Sequence, residues 1–376
     1  MATTFKQFLN NDVTTTRTLL HESIPITGSI VSGTYNEGGT STETNIKNYS
    51  HGMFQSVYDY PYLSSSANHI FDLTVGYSTD SAIYNTSNVQ NTDKKNIYYQ
   101  MAQMLVGHDP DGTIRKFDQD GNFADGDKLE DVFFVNFARL LNKDEIKKGS
   151  FEMEFGIGTD FSMLSATQTT FNQRIKVKDL SGSNSYLVNS PAGEYGILHI
   201  TSSTTDGSTY VRNENYPVGL IYYQAGIAVI SGSIFNDHTT GGQLTDGHGT
   251  VTLGNPTELL ADADGFQFIS GSSISGSCEA IRNRIYNISF NNTTELNSTI
   301  YFARASHNEF NYSSNPTYLN SSQIRVKDTT LDQPVSYITT VGLYSATNEL
   351  LAVAKLSEPL KKTPDTELTL RVRLDY

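Results

Sequence analysis

Residues 367–374 confine this chain to one kind of architecture: Leu368, Leu370, Val372 and Leu374 alternate with Glu367, Thr369, Arg371 and Arg373. Successive side chains of an extended strand point to opposite faces, so this stretch predicts a half-buried strand. The same period of two runs through Phe151-Glu152-Met153-Glu154-Phe155 and Ile175-Lys176-Val177-Lys178, and the pattern reads as strand from Gly149 to the end. Composition agrees, with 22 Tyr, 19 Phe and 29 Gly against only 18% charged residues, which is what strands and tight turns use. A chain of 376 residues can bury about 75% of its extended surface. The expected class is therefore mainly β with a small helical layer (α+β), its C-terminal part a β-sandwich or barrel-like domain.

Helical spacing is confined to one region. It predicts helices over Asn96–Val106 and Lys128–Leu141, the second from Leu129, Val132, Phe133, Phe137, Leu140 and Leu141. The expected organisation is an N-terminal arm over residues 1–35, a mixed α/β part with two helices over 36–149, and a β-rich domain over 150–376 with a break near 280. The arm mixes Phe5, Phe8, Leu19 and Leu20 with Thr-rich stretches, a composition suited to docking on a neighbour. Near the end, residues 337–344 and 349–355 flank the polar turn Ser345-Ala346-Thr347-Asn348 and predict a hairpin.

Charge and cysteine content narrow the chemistry. The 26 Lys and Arg against 40 Asp and Glu give a net charge of −14, which opposes contact with a polyphosphate, so nucleic acid is not an expected partner. The lone Cys278 excludes an intrachain disulfide and a multi-Cys zinc site. The opening residues show no basic stretch leading into an apolar one, the expectation being synthesis in the cytoplasm. Val218–Ile230 is the longest apolar stretch, interrupted by Gln224 and Gly226, too short to span a bilayer, so no membrane partner is expected. Neither a nucleophile elbow nor a phosphate-cradling glycine pattern is present.

Several groups of residues could in principle hold a ligand. Asp118, Asp120 and Asn122 have the spacing of the first three ligands of a calcium loop. Phe123 and Leu129 then stand where such a loop needs Gly and a bidentate Glu, and ordinary Asp-Gly turns explain the run. No cofactor is expected, calcium being the one ion this run suggests. His238 and His248 with Asp237 and Asp246 lie in a Gly-rich loop without a recognised metal spacing. Glu152 and Glu154 share a strand face, as half of a glycosidase pair or simply as a wet edge. Tyr58, Tyr60 and Tyr62 form a ladder or cover the core edge.

The hairpin carries a resemblance. Its first strand, Ile338-Thr339-Thr340-Val341-Gly342-Leu343-Tyr344, and its second, Leu350-Leu351-Ala352-Val353-Ala354-Lys355, resemble a hairpin of tail-fibre, tail-collar and baseplate-associated proteins of tailed bacteriophages. Residues 1–35 and Asn308-Glu309-Phe310-Asn311-Tyr312 are similar to virion structural proteins of contractile-tailed phages, including those of marine cyanobacteria. The resemblance implies a non-enzymatic structural component of a virion, assembled in the host cytoplasm, in the tail, neck or baseplate. Its implied partners are other virion proteins and copies of itself in a symmetric homo-oligomer. Phe5, Phe8, Leu19, Leu20, Tyr344, Leu351 and Val353 are the expected assembly contacts. Alternative readings are a receptor-binding or adhesive β module, a capsid decoration protein, or a glycan hydrolase.

Overall fold

A computed structural model describes residues 5–27, 44–123, 126–141, 145–157, 173–180, 182–202, 209–237, 241–245, 269, 273–313, 319–320, 323–324, 329 and 331–375. His238, Asp246 and His248 lie outside them. The chain forms two compact units: Leu20–Thr294 is the larger, and Met1–Leu19 joins Glu295–Tyr376 in the smaller. The expected step at Gly149 falls inside the larger unit.

The strands in chain order begin with β1 (Val13–Thr27), β2 (Ile46–Asn48), β3 (Gln55–Tyr58), β4 (His69–Tyr77), β5 (Asp131–Asn136) and β6 (Glu145–Ile146). They continue with β7 (Glu152–Gly156), β8 (Arg174–Asp179), β9 (Leu187–Ser190), β10 (Gly193–Ser202), β11 (Tyr216–Tyr222) and β12 (Ile227–Ser231). The last are β13 (Ile285–Ala305), β14 (Leu319–Asn320), β15 (Gln323–Ile324), β16 (Ser336–Tyr344), β17 (Leu350–Lys362) and β18 (Leu368–Asp375). Three helices are described, α1 (Val89–Leu105), α2 (Gly182–Ser185) and α3 (Ile274–Arg284). The protein is thus mainly β, with few helices.

In the larger unit the strands lie in the order β13-β7-β8-β10-β11-β12-β5-β4-β3-β2, each pair antiparallel. The β12–β5–β4 stretch is its apolar centre. Every residue of β12 and the first five of β5 are buried. Phe133 of β5 lies edge-on to Phe155, at 5.8 Å between ring centres, and near Phe235 at 6.4 Å. The expected helix over Lys128–Leu141 is therefore corrected to the strand β5. Its run Val132-Phe133-Phe134-Val135 is apolar on both faces, which erases the period of two that would have marked a strand.

Helix α1 matches the expected helix over Asn96–Val106 but starts earlier, where the Asn88 side chain accepts the N–H of Asn91 at 2.8 Å and caps the first turn. It packs on β4 at Gly76, where a Cβ would sit 2.9 Å from the Lys94 carbonyl oxygen and 3.0 Å from the Tyr98 nitrogen. Only glycine lets the helix backbone come this close. The expectation of strand from Gly149 onward fails at α3. There Ile274, Cys278 and Ile281 recur at helical spacing and are buried, and the Ser273 side chain accepts the N–H of Gly276 as the cap. This stripe is interrupted by Ser and Gly, so composition hides it.

In the smaller unit β13 pairs antiparallel with β18 from Ser298 opposite Asp375 to Ala305 opposite Leu368. Along β18, Thr369, Arg371 and Arg373 are exposed, Leu368, Leu370 and Leu374 are half-buried and Val372 is buried, as the alternation predicts. The expected hairpin is present as β16 and β17, paired antiparallel and separate from the other strands. Among the described residues this unit buries three apolar side chains, Ala305, Leu343 and Val372, and five polar ones, Asp12, Ser298, Thr299, Ser336 and Lys362. The contiguous hydrophobic core, from Ile46 to Phe290, lies wholly in the larger unit.

Candidate assembly surface

Of the N-terminal residues expected to reach a neighbour, Phe5 and Phe8 pack on aromatic rings of their own chain within the smaller unit. Phe5 packs against Tyr344 with ring centres 4.7 Å apart, and Phe8 against Tyr301 at 5.5 Å. Lys6 pairs with Glu309. Arg304 Nε meets Asp12 Oδ1 at 2.7 Å, and the Leu9 N–H donates to Asp12 Oδ2 at 3.0 Å. Two residues proposed as separate contacts, Phe5 and Tyr344, are thus one feature. Leu19 and Leu20 are exposed on β1, at 45% and 51%.

The hairpin meets them from the other side. Tyr344 stands opposite Leu350, and Gly342 opposite Val353. A Cβ on Gly342 would lie 2.9 Å from the Tyr344 ring and 3.4 Å from Leu350 Cδ1, so the bare glycine lets both side chains spread over it. Phe5, Tyr344, Leu350, Leu351 and Val353 are all exposed, Leu351 at 68%. The opposite face of the hairpin carries Leu343, buried, with Ile338, Val341, Ala352 and Ala354 half-buried. A two-stranded ribbon is marginal by itself in water.

What anchors the hairpin is polar. Lys362, at the end of β17, is fully buried. Its Nζ donates to Asn311 Oδ1 at 2.7 Å, to the Thr363 carbonyl at 2.8 Å and to the His307 carbonyl at 3.2 Å. Ser336 Oγ donates to the Phe310 carbonyl, and Phe310 itself sits at φ 54°, a left-handed conformation that costs a residue with a side chain about 1–2 kcal/mol. Lysine is seldom buried unless its donors are met. Nothing in the sequence marks Lys362 apart from other lysines, and it is the residue that sequence reasoning missed.

Charge separates the units as well. The smaller holds ten Lys and Arg against ten Asp and Glu and is neutral, so the remaining sixteen basic and thirty acidic side chains give the larger unit the whole −14.

The other candidates lie in the larger unit. Asp118 is buried, its Oδ1 accepting the N–H groups of Asp120 and Gly121 at 3.1 Å each, while its Oδ2 pairs with Lys128. Burial pushes this carboxyl up, but the Lys128 ammonium and the donors around it prevail and hold it below the usual range. Asp120 accepts from the Asn122 backbone at 3.1 Å and side chain at 2.8 Å. These oxygens are engaged in a turn, and among the described residues no cluster of His, Cys, Asp and Glu is arranged to hold a metal ion. Phe123, at the place a calcium loop gives to Gly, does adopt φ 61°, with the Arg115 guanidinium 5.3 Å from its ring centre.

Glu152 and Glu154 both turn to Lys176 of β8, at 2.9 and 3.1 Å, a cross-strand ion cluster and not a cleft. Tyr58 and Tyr62 have ring centres 6.3 Å apart, while Tyr60 is exposed. Ser56, Asp72 and His69 share the composition of a hydrolytic triad but not its order. His69 Nε2 meets Asp72 Oδ1 at 2.7 Å, and Ser56 Oγ donates to that same oxygen. The carboxylate stands between the other two, so His69 is not placed to take the serine proton. Burial raises Asp72, and the bonds from His69 and Ser56 more than reverse this. Cys278 is buried, its Sγ donating to the Leu73 carbonyl at 3.2 Å, and burial pushes the thiol up to about 12, which removes the thiolate that a nucleophile needs. No described helix is long and apolar enough to cross a membrane.

Comparison with known proteins finds no matching family model, no matching curated sequence and no matching solved structure.

Proposed function

We propose that this protein is a non-enzymatic structural component of a bacteriophage virion, of the tail, neck or baseplate, acting through protein–protein contacts made by the smaller unit. One observation carries the reading. A unit that buries three apolar side chains among its described residues while exposing Leu350, Leu351, Val353, Tyr344 and Phe5 is built to be covered by another chain. The resemblance of the β16–β17 strands to a hairpin of phage tail proteins supplies the setting, and among the described residues of the larger unit Ser56, His69 and Asp72 are not in the order that a hydrolytic triad needs.

Mass spectrometry of purified particles, with immunogold labelling by an antibody to this chain, tests it. The expected result is the chain in the particle spectrum and label in a ring on the tail, neck or baseplate. Label at fibre tips would replace this reading with receptor binding, and a chain missing from the particles would overturn it.

A further inference from the structure

The exposed face of the hairpin is uncharged across Phe5, Gly342, Tyr344, Leu350, Leu351 and Val353. It is bounded by exposed Glu349 at the turn and exposed Lys355 at the other end. We infer that this face packs on the same face of a second copy of the chain, with the two hairpins antiparallel about a two-fold axis.

Three features select a copy of itself. The first is charge at the ends. An isologous contact places each residue against its symmetry-related neighbourhood, so antiparallel stacking sets Glu349 of one hairpin beside Lys355 of the other, twice. The patch is thereby complementary to itself in charge as well as in polarity. The second is charge overall. The larger unit carries −14 and repels its own kind, whereas the smaller is neutral, so two copies approach at least cost through the smaller units. The third is supply. An apolar face on a two-stranded ribbon needs cover as soon as it forms, and a second copy is the partner made at the same time and place.

This inference rests on the reading of the smaller unit as an assembly surface and names its first occupant. Sedimentation velocity on the full chain tests it, with a mass twice that of the 41.5 kDa chain expected at micromolar concentration. Leu351→Asp, at an exposed position where folding is undisturbed, should leave a monomer with an unchanged circular dichroism spectrum. Glu349→Lys and Lys355→Glu should each weaken the dimer about tenfold, the size of two modest ion pairs turned repulsive, and the double reversal should restore it. A wild-type monomer, a mass above two chains, or a double reversal no tighter than either single change would overturn the inference. The outcomes are separable from those of the particle experiment. A monomer found in particles defeats the self-pairing alone, and a dimer missing from particles defeats the virion reading alone.

Discussion

The two units solve the same problem by opposite means. The larger is acidic, at −14, and rests on a continuous apolar core, with aromatic contacts such as Phe133 to Phe155 and Phe137 to Phe290 at 5.1 Å. The smaller is neutral, buries more polar side chains than apolar ones among its described residues, and turns on the ammonium of Lys362. Apolar burial is additive and forgiving, at about 25 cal/mol per Å². A buried cation with three acceptors stabilises only while every partner is in place. The larger unit is held by its apolar core, whereas the smaller leaves an apolar hairpin face exposed while Lys362 and its three acceptors fix the end of the strand.

This contrast can be broken or sharpened by substitution. Phe133→Ala should have the largest effect, costing the larger unit about 3–5 kcal/mol for a deleted core aromatic. Denaturant unfolding followed by hydrogen exchange should show the loss in residues 46–290, and a loss confined to residues 295–375 would contradict the assignment of the core. Lys362→Met should cost about 3 kcal/mol, through acceptors left unmet. Proteolysis should then open residues 295–375 while 46–290 stay protected, and simultaneous loss of both would show that the units are not energetically distinct.

Asp131, buried in β5 of the larger unit, gives a pH test. Burial pushes its carboxyl up to about 6, against the bond that it accepts from Ser81 Oγ. A raised folded value means that the fold holds this proton more tightly than the unfolded chain does. The group's stabilising contribution is therefore full below about 4 and lost as the pH rises through about 6. Asp131→Asn should make the protein more stable than wild type at pH 8 by up to about 2–3 kcal/mol, at about 1.4 kcal/mol per unit of displacement, with no gain at pH 4. A gain of equal size at both pH values would sink this account. Val372→Ala should cost least, about 1.5 kcal/mol from two lost carbons, confined to the smaller unit. A cost of 4 kcal/mol or more there would reveal an apolar core that the geometry does not show.

How far the residues alone announced this molecule depends on where each strand sits. The alternation of Leu368 to Leu374 and the hairpin on Ser345-Ala346-Thr347-Asn348 were legible because one face of each meets water. The strand β5 was not, because both of its faces are buried and Leu129, Val132, Phe133 and Phe137 fall at helical spacing by coincidence. Helix α3 was hidden by Ser and Gly in its first turns, among them the capping Ser273, Gly276 that donates to it, and buried Ser277. At the candidate surface Phe5, Tyr344, Leu351 and Val353 could be picked out as apolar residues in polar surroundings. Their grouping could not, because Phe5 and Tyr344 are brought together by tertiary structure. Lys362 was invisible for a similar reason: its role lies in the carbonyls around it.

The smaller unit joins residues 5–19 to residues 295–375, and this sets an order of events on the ribosome. Phe5 and Phe8 emerge early, but Tyr301 and Tyr344 follow about 300 residues later, a wait of about 15–60 s at about 5–20 residues per second. The larger unit has its whole sequence, and so its core, before the smaller can close. A nascent chain therefore lacks the exposed hairpin face until synthesis has passed residue 353, so under the proposed self-pairing translation itself would time when that face is first displayed.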